Sequence, residues 1–267
     1  MVASKGVSIN QACRVMGLDK KSYHYEPKLK DDEEMIKTLL LKKAHQYPRY
    51  GFKKLFGLLR QEGYNFNHKR IHRIYCELKL NLKRPAKKRL APRTKKTLEQ
   101  PKSLNTSWSL DYMSDALMQG RRFRTANLID DCNREALSIL ASTSLPATRI
   151  TRWLDDIAAW RGYPDKIRVD NGPENISGHF QRWAKEHNIE IIYIQPGKPA
   201  QNGYIERFNR SYREAILDSY LFTTIAQVQS LTDKWLNHYN NERPHEALKN
   251  MTPRQYAEAL LEQNSSC

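Results

Sequence analysis

The stretch Ile167–Leu217 constrains this chain more tightly than any other. It opens on a short apolar run, Ile167-Arg-Val, that ends at Asp170 and the turn-forming pair Asn171-Gly172. An amphipathic segment follows over 176–187, then a second apolar run, Ile189-Glu-Ile-Ile-Tyr-Ile194. A Pro/Gly loop, Gln195-Pro-Gly-Lys198-Pro199, leads into a helical pattern over 202–217. Short apolar runs of roughly 4–8 residues bounded by turn residues read as buried strands, and strands alternating with helices demand a layered sheet. Two carboxylates hold defined places in that alternation. Asp170 closes a strand and Glu206 lies inside the last helix, with 35 residues between them.

A third acid stands upstream, Asp111, in the alternating segment Ser107-Trp-Ser-Leu-Asp111-Tyr-Met. Acids on two strands and a helix converge only through the fold, and once converged they repel one another unless a counter-charge arrives. Hard divalent cations supply that charge and prefer oxygen ligands. Two such ions about 3.5–4 Å apart can clamp the attacking and leaving oxygens of a phosphoryl transfer. That chemistry needs no nucleophilic side chain, because water or a DNA 3′-hydroxyl attacks.

At these residues the sequence resembles a known family. Asp111, Asp170 and Glu206 look like the DDE triad of transposases and retroviral integrases. The words Trp108-Ser-Leu-Asp111, Asp170-Asn-Gly and Gln201-Asn-Gly-Tyr-Ile-Glu206-Arg-Phe are similar to insertion-sequence transposases of the "IS three" family. So are Arg213, seven residues past the glutamate, and the tail pattern Trp235-Leu-Asn-His-Tyr-Asn, Arg243-Pro-His245 and Thr252-Pro253. The resemblance covers nearly the whole chain. It implies an α/β (α+β) protein whose RNase H-like core carries a mixed five-stranded sheet, preceded by an all-α, helix-turn-helix-like DNA-binding region. It also implies Asp111, Asp170 and Glu206 as catalytic metal ligands, two Mg²⁺ ions for which Mn²⁺ may substitute, and double-stranded DNA as partner. A homo-oligomer on DNA is expected, as is an origin as a second-reading-frame product, made in many relatives as a frameshift fusion with an upstream frame.

The residues of the catalytic half can be read independently. Asn105–Ala116, Arg121–Asp130 and Glu135–Ala141 read as an antiparallel meander, with a turn at Gly120. The run 146–161 reads as a helix with Ile150, Trp153, Leu154, Ile157 and Trp160 inward. With the strands and helices already named, this gives the element order of the RNase H-like fold. On the last helix Ile205, Phe208, Tyr212 and Ile216 form one apolar stripe. Glu206, Arg210 and Arg213 share another face, where DNA phosphate would reconcile one carboxylate with two guanidiniums; by itself the pattern is also that of a surface Glu–Arg pair. Arg210, Arg213 and the loop residue Lys198 are therefore expected DNA contacts. Asp115, Asp130, Asp131 and Glu174 are expected to serve structure or to support the metal-binding acids rather than to bind metal themselves, the Asp130-Asp131 pair through turn chemistry.

Charge divides the chain. Residues 1–103 hold 26 Lys+Arg against 9 Asp+Glu, a net +17, whereas 104–267 hold 19 against 20. A basic arm ahead of a near-neutral half is the footprint of a nucleic-acid binder. Within that arm, Ser8 caps a short helix that Gly17 ends, and Asp19 starts another. Asp31 opens a longer helix to about Ala44, with Met35, Ile36, Leu39, Leu40 and Leu41 on its apolar side. Phe52–Glu62 forms the next, with Phe52, Leu55, Leu58 and Leu59 at core spacing. Asn67 caps a last helix, His68 to about Leu78, that resembles a recognition helix. Its Lys69, Arg70, His72 and Arg73 are expected on DNA, on phosphates before bases. His68, His72 and Cys76 share a helix face, but no fourth ligand is apparent, so they read as two surface histidines and a packed thiol. The Lys/Arg/Pro-rich segment from Asn81 reads as an extended tether that can track a DNA backbone.

The expected domains are 1–80 helical and DNA-binding, 81–103 linker, 104–225 catalytic core and 226–267 helical extension. The four cysteines form no C-x-x-C pair, and neither a membrane-length apolar run nor a signal-peptide core is present. These features favour a cytoplasmic protein with no membrane partner, and the resemblance implies a bacterial, nucleoid-associated one. Three functions are open: a transposase that cuts and joins DNA, a DNA-binding regulator with an inactive core, and an RNase H-superfamily nuclease or integrase of a virus-like element. All three acids are present, which favours catalysis over regulation.

Overall fold

The computed structural model describes residues 8–25, 32–82, 98, 100–195 and 199–265. Most of the expected tether, the expected helix start Asp31 and the expected DNA contact Lys198 lie outside the described residues. The chain runs α1 (Ile9–Val15), α2 (Lys20–Tyr23), α3 (Glu33–Gln46), α4 (Phe52–Gln61) and α5 (His68–Glu77). It continues with β1 (Ser107–Ala116), β2 (Arg122–Asp130), β3 (Ala136–Ser142) and α6 (Ala147–Arg161). Then come β4 (Lys166–Val169), α7 (Gly178–Glu186), β5 (Glu190–Tyr193), α8 (Gly203–Tyr212), α9 (Ile225–Asn241) and α10 (Pro253–Ser265).

Side chains that hold the first helical N–H groups set where many helices begin. Ser8 accepts from the Gln11 amide, Asp19 from Lys21, Asn67 from Lys69, Ser177 from Phe180 and Thr224 from Gln227. Gly17, at φ +61°, makes the left-handed turn between α1 and α2. In the three-helix module α3–α5, Ile36, Leu40, Leu55, Leu59, Ile71 and Ile74 form a closed core. Met35 and Leu41, expected inside, are exposed, because α4 and α5 cover only one face of α3.

The sheet has the order β3-β2-β1-β4-β5, antiparallel through β3-β2-β1 and parallel through β1-β4-β5. This is the expected mixed five-stranded, RNase H-like sheet. Alternation along β1 and β2 divides their side chains between its two faces. Trp108, Leu110, Ala126 and Leu128 pack under α6 and α7 with Ile150, Leu154 and Phe180. On the other face Ile129 and Ile139 meet Ile205, Phe208 and Tyr212 of α8 and Val228 and Trp235 of α9. Trp160, expected inward, is 61% exposed. The last turn of α6 instead sends Arg161 to Asp130 and Glu135. The amphipathic segment becomes helical only from Gly178, leaving Ile176 exposed. Beyond Tyr212, α8 loosens into a π-type turn over Arg213–Leu217.

The helical module rests on the C-terminal part of the chain. Tyr47 stacks on His238 at 4.7 Å between centroids, and Tyr50 Oη lies 2.7 Å from His238 Nε2. Lys53 pairs with Glu246 at 2.6 Å. The Arg243-Pro-His245 motif, which the sequence places chiefly in packing the C-terminus with DNA contact as the lesser alternative, lies against this junction. A Cβ on Gly57 of α4 would stand 3.0 Å from the Pro244 ring, so Gly57 lets the two backbones approach.

Candidate active site

The three singled-out acids lie on adjoining elements. Asp111 is in β1, Asp170 follows β4 and Glu206 is in the first turn of α8. The parallel register pairs Ser109 with Arg168, and the same offset carried forward along both strands sets Asp170 beside Asp111. Asp111 points to the α8 face, as β1 alternation requires. Burial pushes its carboxyl up to about 6, and the charges of Asp170 and Glu206 push it the same way. The Tyr112 amide and Asn209 oppose that shift by bonding to the carboxylate.

Each aspartate is gripped by an asparagine that the sequence reading did not single out. Asn209 Nδ2 donates to Asp111 Oδ2 at 2.7 Å, and Asn127 Nδ2 donates to Asn209 Oδ1 at 2.7 Å. Asn127 stands directly opposite Asp111 in the β1–β2 pairing. Both asparagines are buried, so this polar chain crosses the apolar contact between sheet and α8. On the other side, Asn175 Nδ2 donates to Asp170 Oδ1 at 2.7 Å, and the Gly172 amide donates to the same oxygen at 3.1 Å. Tyr112 Oη donates to Asn175 Oδ1 at 3.0 Å, holding that amide in turn. A Cβ on Gly172 would lie 3.0 Å from Asp170 Oδ1 and 3.2 Å from Glu174 Oε2. This explains the glycine of Asp-Asn-Gly by space, not by backbone angle. One signal for Asn209 was available: it is an amide on the apolar stripe of α8, one turn after Glu206.

Glu206 is exposed on α8, as is Arg210. Arg213 leaves that face at the π-type turn, donating to Ser114 O at 3.0 Å and lying 3.4 Å from Asp115. Glu174 pairs with Arg124, whose guanidinium lies over Tyr112 at 4.8 Å. Asp130 and Asp131 are fully buried. Turn chemistry is only part of their work: Asp130 does accept the Cys132 amide, but it also pairs with Arg161. Asp131 accepts from Ser107 and Ser109 and pairs with Arg168 at 2.6 Å.

On α5 the four expected DNA contacts divide. Lys69 and His72 are exposed. Arg70 pairs with Asp32 at 2.5 Å, and Arg73 pairs with Glu33 and Glu77 at 3.0 and 2.7 Å. His68 and His72 sit edge-on to Phe52 at 5.0 and 4.7 Å. Cys76, expected packed, is exposed.

Oxygen donors on rigid elements, two of them oriented by amides, are the donor chemistry that Mg²⁺ or Mn²⁺ requires. Among the described residues no three His, Cys, Asp or Glu side chains stand close enough together to enclose a metal ion. The fit therefore rests on the Asp111–Asp170 pair, with Glu206 exposed on α8 beside it.

Comparison with known proteins decides the family. The 31.7 kDa protein of insertion element IS407 from Burkholderia multivorans is 36% identical over 251 residues, spanning 94% of this chain and 91% of its own. The chain belongs to the insertion-element transposases with an integrase core. Two profiles, both described as integrase core domain, match residues 101–199 and 187–253, and an HTH-like domain matches residues 30–89. The transposase InsD of insertion element IS2D from Escherichia coli K12 is 25% identical over 224 residues, spanning 79% of this chain and 74% of its own. A chain of the simian T-cell lymphotropic virus intasome matches with a TM-score of 0.50 at 18% identity. It covers 80% of this transposase and 73% of the viral chain, and at that identity the likeness is one of fold. No helix among the described residues is long and apolar enough to cross a membrane.

Proposed function

We propose that this transposase cleaves DNA strands at the ends of its element and joins the freed 3′-hydroxyl to target DNA, with Asp111, Asp170 and Glu206 as the metal-holding acids. The observation that carries the reading is the unbalanced charge at Asp111. Its carboxyl is raised by burial and by Asp170 and Glu206, and its grip from Asn209 is neutral. A half-buried negative charge with no positive partner among the described residues favours binding of a cation. Mg²⁺ or Mn²⁺, two ions in the full reaction, would neutralise charge on the attacking and leaving oxygens.

The chain's own residues do the rest. Asn209 and Asn175 hold the two aspartates in a single orientation, and Gly172 leaves space for the Asp170 carboxylate. Water or a DNA 3′-hydroxyl is the nucleophile, so the site needs no base on a side chain. The +17 arm and its HTH-like domain bring the DNA, with Lys69, His72 and Arg210 exposed to meet phosphates and Arg70 and Arg73 engaged within the module. Lys198 and Arg213 complete the proposed contacts, Arg213 also bracing β1. We place the domain boundaries at 80, 103 and 225, and propose action as a homo-oligomer on DNA, whether alone or fused to an upstream-frame product, in the bacterial cytoplasm at the nucleoid.

The test is strand cleavage and joining on a duplex carrying an element end, with Mg²⁺ or Mn²⁺. Asp111→Asn, Asp170→Asn and Glu206→Gln should each abolish both steps and leave DNA binding within about twofold. Asp115→Asn, which touches the Arg213 brace and the Ala116 amide, should retain activity. Cleavage by any triad variant at near wild-type rate refutes the assignment.

A further inference from the structure

Where the helical module meets the C-terminal segment, positive groups gather, and the acids that act on them, Glu214 on Lys54 and Glu246 on Arg207, do so from beyond ion-pair distance. Arg243 lies over two rings, 5.2 Å from the Tyr239 centroid and 5.8 Å from that of Tyr50. Lys54 Nζ stands 4.8 Å from the same Tyr50 ring. His245 meets Tyr239 edge-on at 4.8 Å. Arg243 donates to Ser211 Oγ at 3.0 Å, and Ser211 donates to the carbonyl of Arg207, one turn earlier on α8. Four cationic or protonatable groups from three elements thus surround one junction: Lys54 from α4, Arg207 from α8, and Arg243 and His245 from the C-terminal loop.

None of the four has a carboxylate within ion-pair distance among the described residues, whereas their neighbour Lys53 is paired with Glu246. Arg243 Nε and His245 Nε2 are buried and have no hydrogen-bond partner among the described residues. Burial, then Arg243, holds Lys54 down to about 8, with the opposing influence of Glu214 smaller. Burial, then Arg243 and Lys54, holds His245 down to about 3. Clustered like charges and buried polar atoms without partners both destabilise a fold. An anion held at this junction would relieve both. Arg207 adjoins Glu206, so the junction lies between the HTH-like domain and the candidate active site.

We infer that Lys54, Arg207, Arg243 and His245 form a binding site for a DNA backbone phosphate, bridging the HTH-like domain and the catalytic core. This rests on the proposed action on DNA. A phosphate diester is the ligand class that fits: a compact anion that accepts from a guanidinium and an ammonium together, its charge offsetting the repulsion from Arg243 and Lys54 that helps keep His245 neutral. The same phosphate would lock the module against the core, so the junction tightens when DNA runs from the helix module to the acids.

The experiment is a fluorescence-anisotropy titration of a labelled duplex with the full chain across a range of NaCl concentrations. Lys54→Met keeps the aliphatic stem and removes the charge, and Arg207→Gln does the same on an exposed surface. Each should weaken binding on the order of tenfold and lower the slope of log K against log salt by about 0.9. Lys53→Met, which removes only the Glu246 partner, should leave the slope within error. Without DNA, Lys54→Met should melt at or above the wild-type temperature, because a repelling charge is gone. Wild-type slope and affinity within twofold for both Lys54→Met and Arg207→Gln overturn the site. Inorganic phosphate that raises the melting temperature of wild type but not of Lys54→Met, with duplex affinity unchanged, assigns a free anion and overturns the DNA contact. If wild type binds and cleaves DNA while the two variants match it, this inference alone fails. If wild type shows no metal-dependent cleavage, the proposed function fails with it.

Discussion

Replacing Asp111 with Asn should stabilise the transposase core in a pH-dependent way. The folded carboxyl titrates at about 6 against an ordinary 3.8, with burial the largest cause and Asp170 and Glu206 next. Between those two values the folded chain holds a proton that the unfolded chain has released. Stability therefore falls as pH rises from about 4 to about 6, and the full penalty applies above that window. Raising the carboxyl from 3.8 to about 6 corresponds to roughly 3 kcal/mol, and residual water contact around a carboxyl that is not fully buried lowers this toward about 2 kcal/mol. The amide keeps the shape and can still accept the Asn209 bond, so Asp111→Asn removes the penalty without opening a cavity. Urea unfolding in chelator, followed by tryptophan fluorescence, reports it. All five tryptophans lie at or beyond Trp108, so the signal comes from the core and its extension and not from the helical module. The variant should gain about 2–3 kcal/mol over wild type at pH 8 and almost nothing at pH 4. Adding Mn²⁺ at pH 8 should raise wild-type stability and leave the variant unmoved, since only a ligand that binds the native state shifts the equilibrium. A gain that is equal at both pH values, or a loss at pH 8, refutes the charge argument.

Three further outcomes follow from the supporting residues. Asn209→Ala should keep the fold but lower metal-dependent cleavage by about 10–100-fold, with a higher metal concentration needed for half-maximal rate, as loss of a ligand-orienting bond does. Gly172→Ala should cut activity while urea midpoints stay near wild type, because its Cβ meets the Asp170 and Glu174 carboxylates and not the backbone. Asp131→Asn should destabilise the core by about 3 kcal/mol at pH 7, read by urea unfolding, because it leaves Arg168 buried without its charge partner.

The sequence was most legible where period and punctuation act locally. The strands at Asp111 and Asp170, the apolar stripe Ile205–Phe208–Tyr212–Ile216 and the caps at Ser8, Asp19 and Asn67 all stand as the pattern requires. Trp160, Met35 and Leu41 failed for a shared reason. Helical spacing says which residues share a face, but not how far the neighbouring layer extends beneath it. Asp130 and Asp131 were under-read for a different one. Their partners Arg161 and Arg168 lie at distant points in the chain, and no local rule links a turn acid to a guanidinium one strand or one helix away.

The asparagines show where sequence reasoning stops and the fold must supply the rest. A metal-binding aspartate needs a neighbour that fixes its rotamer without neutralising it; an arginine there would hold the carboxylate but remove the charge that attracts a cation. Amides meet that requirement, and both aspartates have one. Asn175 lies in the loop after Asp170, close enough in sequence to be suspected. Asn209 does not: it reaches Asp111 only because β1 alternation turns that acid toward α8, and it is braced by Asn127 only because the β1–β2 register sets Asn127 opposite. The buried amide pair crosses an otherwise apolar interface, so a slip of one residue in that register would strand both amides without partners. The same hydrogen bonds that orient the acid therefore also select the register of the strands that carry it, which ties the specificity of the fold to the geometry of the site.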